Sequence, residues 1–499
     1  MNDVNNTKYL YVIDVSGIKN FVSHRRYLPE LRVASQRLSN TMHDLVQYIK
    51  DKYSTEIIYE GGGNALFVLD QELSEEWIVN LQIKFKELLG YSNEEFDLPP
   101  HLYIKTSDKA NELFNNGDFK NARSTLIKSL ASKKRDVFNL VDIIHLPPVN
   151  TDLCVSCYLR KVTLNPNENE KLCTYCQRLR NEGREIINQE ISQILPDKKT
   201  YLEYQMEYLA GTPSSELDKE TSDEKYRVAV IQIDGNLFGY QFEKIGKQEE
   251  LLELSQQIQN LMEEIFEELV QKLQKMGLEE DAERVIMGKI YIGGDDIKII
   301  TPARLAIPIA YYYITQFRQK INREGLVLSA GIAIGKSKTP LSSLFEISDA
   351  MLSKAKVGYK KGSPGSIDIY LNHTNSSNPA ILFERQYREE HFEIEHPTLN
   401  VGGELWKKLA KLIDIEDFNP TITPDEFKEQ ILLPWMEVQS QYLQSFITEG
   451  RESTTLYTLY QSERHDVKDY RSAIPFLSIG NSRYELEKAL EIAKVRYEL

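Results

Sequence analysis

An α+β chain in which one β-α-β-β-α-β unit occurs twice is what the sequence predicts, and three observations predict it. Two long blocks pass through the same order of strand, helix, hairpin, helix, strand and helix, and the first strand of each ends in aspartate, Asp14 and Asp234. Each block carries the same kind of hairpin turn, Tyr59-Glu60-Gly61-Gly62-Gly63-Asn64 in the first and Tyr291-Ile292-Gly293-Gly294-Asp295-Asp296 in the second. All four cysteines fall between the blocks, as two Cys-x-x-Cys pairs. An internal repeat of this kind marks two copies of one domain, and its order of elements is the ferredoxin-like one.

The first block, residues 1–143, opens on the apolar strand Tyr9–Asp14. A helical pattern follows from Leu28 to Ile49, then Ile57–Glu60 and Ala65–Leu69 around the glycine turn. A helix over 74–89, a strand at His101–Ile104 and a basic helix over 119–134 complete it. The cysteine segment, 144–210, carries Cys154, Cys157, Cys173 and Cys176 flanked by helical sequence. Paired Cys-x-x-Cys across a short polar loop is the spacing of a structural zinc site. Two disulfides are the other reading, and a chain without a signal peptide disfavours them. Residues 211–224 are polar without apolar period and read as a linker or a mobile loop.

The second block, 226–375, opens on Val228–Asp234. A long helix follows, with Leu251, Leu254, Ile258, Leu261, Ile265, Leu269, Leu273 and Met276 on one stripe and Glu263, Glu264, Glu267 and Glu268 on a solvated face. The apolar run Val285–Ile290 reads as the strand entering the hairpin. A helix over 303–322, a strand over 326–334, a helix over 341–356 and a strand at Ser366–Tyr370 follow. Residues 384–499 read as a third, α-helical domain whose Trp406, Trp435 and many Tyr supply core.

The chain has 499 residues, a net charge of −15 and 41% hydrophobic residues. No apolar run reaches the ~18–20 residues of a membrane span, and the expected location is the cytoplasm. A net acidic chain is not a general nucleic-acid coat, although a local basic groove stays compatible with it.

The second hairpin carries the chemistry. Gly293 and Gly294 are expected to supply φ > 0 and to let a ligand approach the main chain. Adjacent aspartates at such a turn suit a hard divalent cation held against phosphate oxygens. An ordinary polar hairpin is the bland alternative. The ferredoxin-like order brings the end of the first strand beside the central hairpin, so Asp234 should join Asp295 and Asp296. Neighbouring strand residues point to opposite faces, so both hairpin acids reach one site only if one of them sits in the turn. The first block keeps the glycines but has Gly63 and Asn64 where the second has acids, so the turn itself does not demand carboxylates.

At this point the residues resemble a known family, the large palm-domain subunit of type III CRISPR interference complexes (the Cmr and Csm large subunits). The resemblance is carried, in order, by Ile13-Asp14-Val15-Ser16-Gly17-Ile18-Lys19-Asn20-Phe21, by Leu31-Arg32-Val33-Ala34-Ser35, and by the paired Cys-x-x-Cys. It continues through Gly293-Gly294-Asp295-Asp296, Ser329–Ile334, Lys338-Thr339-Pro340-Leu341 and Ala355-Lys356, over about residues 8 to 370. It implies two palm (nucleotidyl-cyclase-like) domains, a zinc-binding helical insert with four cysteine ligands and a helical C-terminal domain.

It further implies that the second palm joins ATP into cyclic oligoadenylate when the complex binds target RNA. Asp234, Asp295 and Asp296 would hold Mg2+ or Mn2+; Gly293, Gly294, Gly235, Asn236 and Ser329 would bind nucleotide, and Lys356 would contact phosphate. The partners implied are ATP, guide and target RNA, and other CRISPR subunits; a homodimer stays open. Two departures stand out. Asp234-Gly235-Asn236-Leu237 lacks the second carboxylate of the family's Asp-Gly-Asp-Asn. No HD-type nuclease domain is expected ahead of the first palm, and His43-Asp44 and His465-Asp466 read as incidental, so no DNase activity is expected. A catalytically silent scaffold that binds guide and target RNA is the rival reading. A GTP-using diguanylate cyclase is a further one, disfavoured by Gly-Gly-Asp-Asp in place of Gly-Gly-Asp/Glu-Glu-Phe.

Overall fold

A computed structural model of the protein describes residues 7–23, 25, 27–61, 63–92, 100–141, 153–157, 160–162, 171–194, 205–212, 226–236, 238–321, 323, 325–371 and 399–401. The first block, which the resemblance implies to be one of two palms, runs β1 (Tyr9–Ser16), α1 (Ile18–Ser23), α2 (Leu28–Lys52), β2 (Thr55–Gly61), β3 (Asn64–Leu69), α3 (Glu75–Leu88), β4 (His101–Lys105), α4 (Asp108–Asn115) and α5 (Phe119–Val141). The insert contributes α6 (Thr174–Ile194) and α7 (Gln205–Leu209). The second palm runs β5 (Arg227–Asn236), α8 (Phe238–Lys244), α9 (Gln248–Lys275), α10 (Glu279–Gly288), β6 (Lys289–Gly293), β7 (Asp296–Pro302), α11 (Ala303–Ile321), β8 (Val327–Lys336), α12 (Leu341–Val357), β9 (Gly365–Leu371) and β10 (Leu399–Asn400).

The two sheets share one topology. The first has the order β2-β3-β1-β4, and the second β10-β9-β8-β5-β7-β6. In both, the first strand lies between the third and the fourth, antiparallel to each. The second sheet extends this core with β9, parallel to β8, and with β10 on its edge. Local sequence explains the elements. On α9 the apolar stripe Leu251, Leu254, Ile258, Leu261, Ile265, Leu269 and Leu273 is buried. Ser74 caps α3 by accepting from the Trp77 amide. The strands of the second sheet are apolar on both faces because helices cover both. Gly331 on β8 lets α12 lie directly on the sheet, since a Cβ there would collide with the Ser348 carbonyl and the Leu352 amide.

Three expectations change. Val285–Met287 belong to α10, and β6 starts only at Lys289. A short continuous apolar run fits a buried helix as well as a strand, and here the acids Glu279, Glu280 and Asp281 start a helix. Gly288 closes the corner with its Cα against the Ile300 carbonyl, where a Cβ would collide. Leu399 and Asn400, inside the stretch expected to be helical, pair with Ile367 and Ser366 as an edge strand. The rest of 384–499, including His465 and Asp466, lies outside the described residues. Thr212, at the start of the expected linker, is buried and its carbonyl accepts from Arg284 Nη2 at 2.9 Å; 213–225 also lie outside the described residues. No helix among the described residues is long and apolar enough to cross a membrane.

Candidate active site

Pleat and register put the acids together. Gln232 on β5 pairs with Lys298 on β7, and Ile233 with Ile297. Continuing one residue sets Asp234 opposite Asp296, on the face that carries α12, because paired residues share a face. Asp296 is the first residue of β7, paired with Gly293, and Gly294-Asp295 form the turn. Asp295 is therefore released from strand alternation, and its carboxylate folds back over Gly235. A Cβ on Gly235 would collide with Asp295 Oδ2 and with the Phe238 ring. Only Gly294 has φ in the left-handed region, +60°; Gly293 is not among the glycines with φ > 0, so the expectation for the pair holds for one of them.

Each acid has its own surroundings. Asp234 pairs with Lys356 Nζ from the last turn of α12. Asp296 Oδ2 accepts from Tyr291 Oη at 2.5 Å, while its Oδ1 is buried without a hydrogen-bond partner. Burial, then repulsion from Asp234, pushes the Asp295 carboxyl up to about 6 and the Asp296 carboxyl up to about 7. Burial and the neighbouring Asp296 hold the Tyr291 phenol well above its ordinary value. Gln232 Oε1 and Asn236 Nδ2 are likewise buried without partners. Three unpartnered polar atoms around mutually repelling carboxylates fit a site that takes a cation and a polar ligand. The carboxylate oxygens are nonetheless not drawn into one set: among the described residues only the four cysteines form a group of three or more His, Cys, Asp or Glu whose ligand atoms all lie within 4.8 Å of one another.

A cavity of about 330 Å³ opens between the two palms. The first palm lines it with Ile18, Val22, Ser35, Leu38, Ser39 and Gly63, and the second with Gln232, Tyr291, Ile292, Gly293, Asp296, Lys298 and Asp349. Lys298 Nζ stands 3.7 Å from Asp349 Oδ1 and 4.8 Å from the centre of the Phe345 ring. Gln232, Tyr291, Lys298, Asp349 and the contribution of the first palm were not found by motif reading. Register alone could have found Gln232 and Lys298, two residues before Asp234 and two after Asp296.

Ser329 pairs with Asp234 across β5 and β8 but does not line the cavity. It is wholly buried, and its hydroxyl lies 2.9 Å from that of Ser366. Ser366 donates its single proton to the Ala355 carbonyl at 2.7 Å, so Ser329 must be the donor between the two serines. This relay ties β8 and β9 to the end of α12, one residue before Lys356. It supports the lysine and does not reach the cavity. His43 is exposed on α2, with Nδ1 3.2 Å from Glu60 Oε1.

The four cysteines are buried, form no disulfide and converge. The Cys157 and Cys173 sulfurs are 3.9 Å apart, close to the edge of a tetrahedron with metal–sulfur bonds of about 2.3 Å. The buried Arg25 donates to Cys176 Sγ at 2.8 Å. Arg160, also buried, lies 4.2 Å from the centre of the Tyr175 ring. A buried guanidinium bonded to one of the sulfurs suits four thiolates around one dication, a dianionic unit. The insert is joined to α2 at Glu30, wholly buried, which accepts from Arg180 Nε at 2.9 Å and from Ser156 Oγ.

Comparison with known proteins gives concordant results. Residues 227–363 match the family model for the Cas10/Cmr2 second palm domain, and residues 7–148 that for Csm1 subunit domain B. No curated protein matches the chain. Among solved structures, a chain of the Csm1-Csm4 cassette in complex with one ATP is similar at 15% identity and a TM-score of 0.55, covering 98% of this chain and 70% of that one. The cassette in complex with AMPPNP gives 16%, 0.54, 98% and 70%, and that in complex with cA4 gives 15%, 0.53, 99% and 69%. A further cassette chain, in complex with pppApA, is matched over 66% of its length, so the protein spans about two thirds of the chains it resembles. With two family models in chain order on either side of the four-cysteine cluster, and this fold between them, the chain belongs to the Cas10/Csm1-like large subunits.

Proposed function

We propose that the protein is a metal-dependent nucleotidyltransferase that converts ATP to cyclic oligoadenylate in type III CRISPR defence, and that target RNA bound to its complex activates it. The observation that carries this is the pairing face shared by Asp234 and Asp296, with Asp295 in the adjoining turn and Asp296 lining a cavity to which the first palm also contributes. Relatives of the same fold, solved with ATP, AMPPNP and cA4, support the substrate class. Asp234, Asp295 and Asp296 would hold Mg2+ or Mn2+, which would lower the barrier for a 3′-hydroxyl to displace pyrophosphate from an α-phosphate.

The chain's own groups do the positioning. Tyr291 orients the Asp296 carboxylate through its hydroxyl. Lys356, held over Asp234, offers its charge to phosphate as the nucleotide enters. The bare turn glycines leave the main chain open to the nucleotide, and the apolar wall from α1 and α2 excludes water. Gly235 and Asn236 extend the same strand end; Ser329 acts through α12. The four-cysteine cluster would hold structural zinc, leaving no open coordination position.

The experiment is ATP with Mg2+ or Mn2+ and the target-loaded complex, read by pyrophosphate release and product mass. Release that Asp295→Ala/Asp296→Ala abolishes supports the reading. A silent scaffold is the second reading, favoured by Asn236 at a carboxylate position; it predicts RNA-dependent assembly with no release. Metal analysis should find about one zinc per chain.

A further inference from the structure

The acid hairpin sits at an edge. Among the described residues β6 is the last strand of its sheet, with no neighbouring strand on one of its sides. It is also short and bulged: register slips between Lys289 and Tyr291. Such a strand is held weakly by its own ladder. Besides α9, whose Phe266 ring lies 5.1 Å from Lys289 Nζ, the start of the strand is held from outside the second palm. Arg32, on α2 of the first palm, is only 4% exposed. Its Nη1 donates to the Ile286 carbonyl at 3.0 Å and to the Lys289 carbonyl at 2.6 Å. Its Nη2 pairs with Glu190 on α6 of the insert, and Glu190 also lies 3.3 Å from Lys289 Nζ.

The contacts fall at the last turn of α10 and the first residue of β6. The Ile286 carbonyl accepts only the capping Lys289 amide from the backbone, leaving a lone pair for Arg32, and a cation at a helix C-terminus is favoured by the helix dipole. One planar guanidinium thus bonds two carbonyls and a carboxylate in a fixed fork. The frame behind it is stiff: Glu30, two residues before Arg32, is bonded to Arg180 and Ser156 of the insert. Gly183 of α6 sits where a Cβ would collide with the Pro29 carbonyl, so α6 and α2 are in backbone contact.

We propose that Arg32, fixed by Glu190, is a positioning residue for the acid hairpin: the first palm and the insert together set where Asp295 and Asp296 stand. The inference rests on the catalytic reading of that hairpin only for its effect on rate; the grip itself is a claim about the fold.

The test is amide hydrogen exchange on the full chain, followed by ATP turnover in the loaded complex. Arg32→Lys keeps the charge but cannot reach three acceptors. It should speed exchange over residues 289–296 at least tenfold while leaving β8 unchanged. It should also lower kcat at least tenfold with KM for ATP within twofold. Glu190→Gln, which preserves packing, should give about a threefold effect on both, and the double variant should be no worse than Arg32→Lys alone. Should Arg32→Lys fail to fold, Glu190→Gln decides by the same two measurements. Unchanged exchange at 289–296, or exchange that rises equally in β8, overturns the proposal. If the wild-type complex releases no pyrophosphate, the catalytic reading fails, and the exchange result still decides the grip.

Discussion

The two palms are one design finished in two ways, and the hairpins show where they part. The four strands common to both sheets have the same order, and both hairpins close on matching pairs, Gly61 with Asn64 and Gly293 with Asp296. Both edge strands even slip register at the same place, between Ile57 and Tyr59 and between Lys289 and Tyr291. The tyrosine after each bulge does different work. Tyr59 donates to the Gly61 carbonyl of its own hairpin at 3.0 Å, whereas Tyr291 donates to Asp296. The residue after the strand aspartate is exchanged too. Val15 follows Asp14 where Gly235 follows Asp234, and opposite them stand Gly63 and Asp295. Side-chain volume is conserved across the pair: valine fits over a glycine, glycine under a carboxylate. The acids are thus not a product of the turn; room was made for them.

Breaking the second palm's half of this exchange should have the largest effect. Asp295→Ala/Asp296→Ala is expected to lower pyrophosphate release by at least ~10³-fold. Thermal unfolding should stay at or above the wild-type temperature, since two repelling buried carboxyls are removed. Gly235→Ala places a methyl against Asp295 Oδ2 and should cost roughly 10²-fold in kcat with modest loss of stability. In the first palm, Gly63→Asp meets both φ +82° and the Ile18 side chain. It should destabilise by about 2 kcal/mol in denaturant unfolding and confer no activity.

Acidity sharpens the comparison further. Asp295 and Asp296 bind protons up to about 6 and about 7 in the folded chain, but only near 4 when unfolded. Their contribution to stability is therefore best at low pH and is lost as pH rises from about 4 to about 7. A cation competes with those protons, so Mn2+ affinity by calorimetry should climb through pH 6–7 and level off above. Asp296→Asn should remove the upper part of that climb. The smallest expected effect is that of Tyr291→Phe. Losing one hydrogen bond to a carboxylate should weaken Mn2+ by about three- to tenfold and shift the climb to higher pH.

Much of this fold was legible because its signals are local. Period, turn glycines and paired cysteines each act within a few residues, and the repeat supplied a second reading of each. That Asp234 stands beside the hairpin acids was legible because the order of strands brings the end of β5 against the start of β7. The start of β6 was not, since Val285–Met287 are apolar in either conformation and tertiary packing chose. Ser329 sat in a matching strand and pairs with Asp234, yet its hydroxyl is spent on Ser366 beneath the end of α12; a strand motif gives the face but not the partner packed over it. Arg32 stood within a quoted stretch, but its acceptors lie more than 150 residues away.

Glu30 carries a practical consequence for anyone wishing to shorten the protein. The cysteine insert looks detachable on paper, a loop between two finished sheets. Excising it would strip a wholly enclosed carboxylate of both Arg180 and Ser156, leaving an acid whose two hydrogen-bond donors are gone. A two-palm miniature would first have to replace Glu30 with methionine or leucine, and its hairpin would still hang without the brace that α6 provides. The insert is better regarded as masonry shared by two rooms.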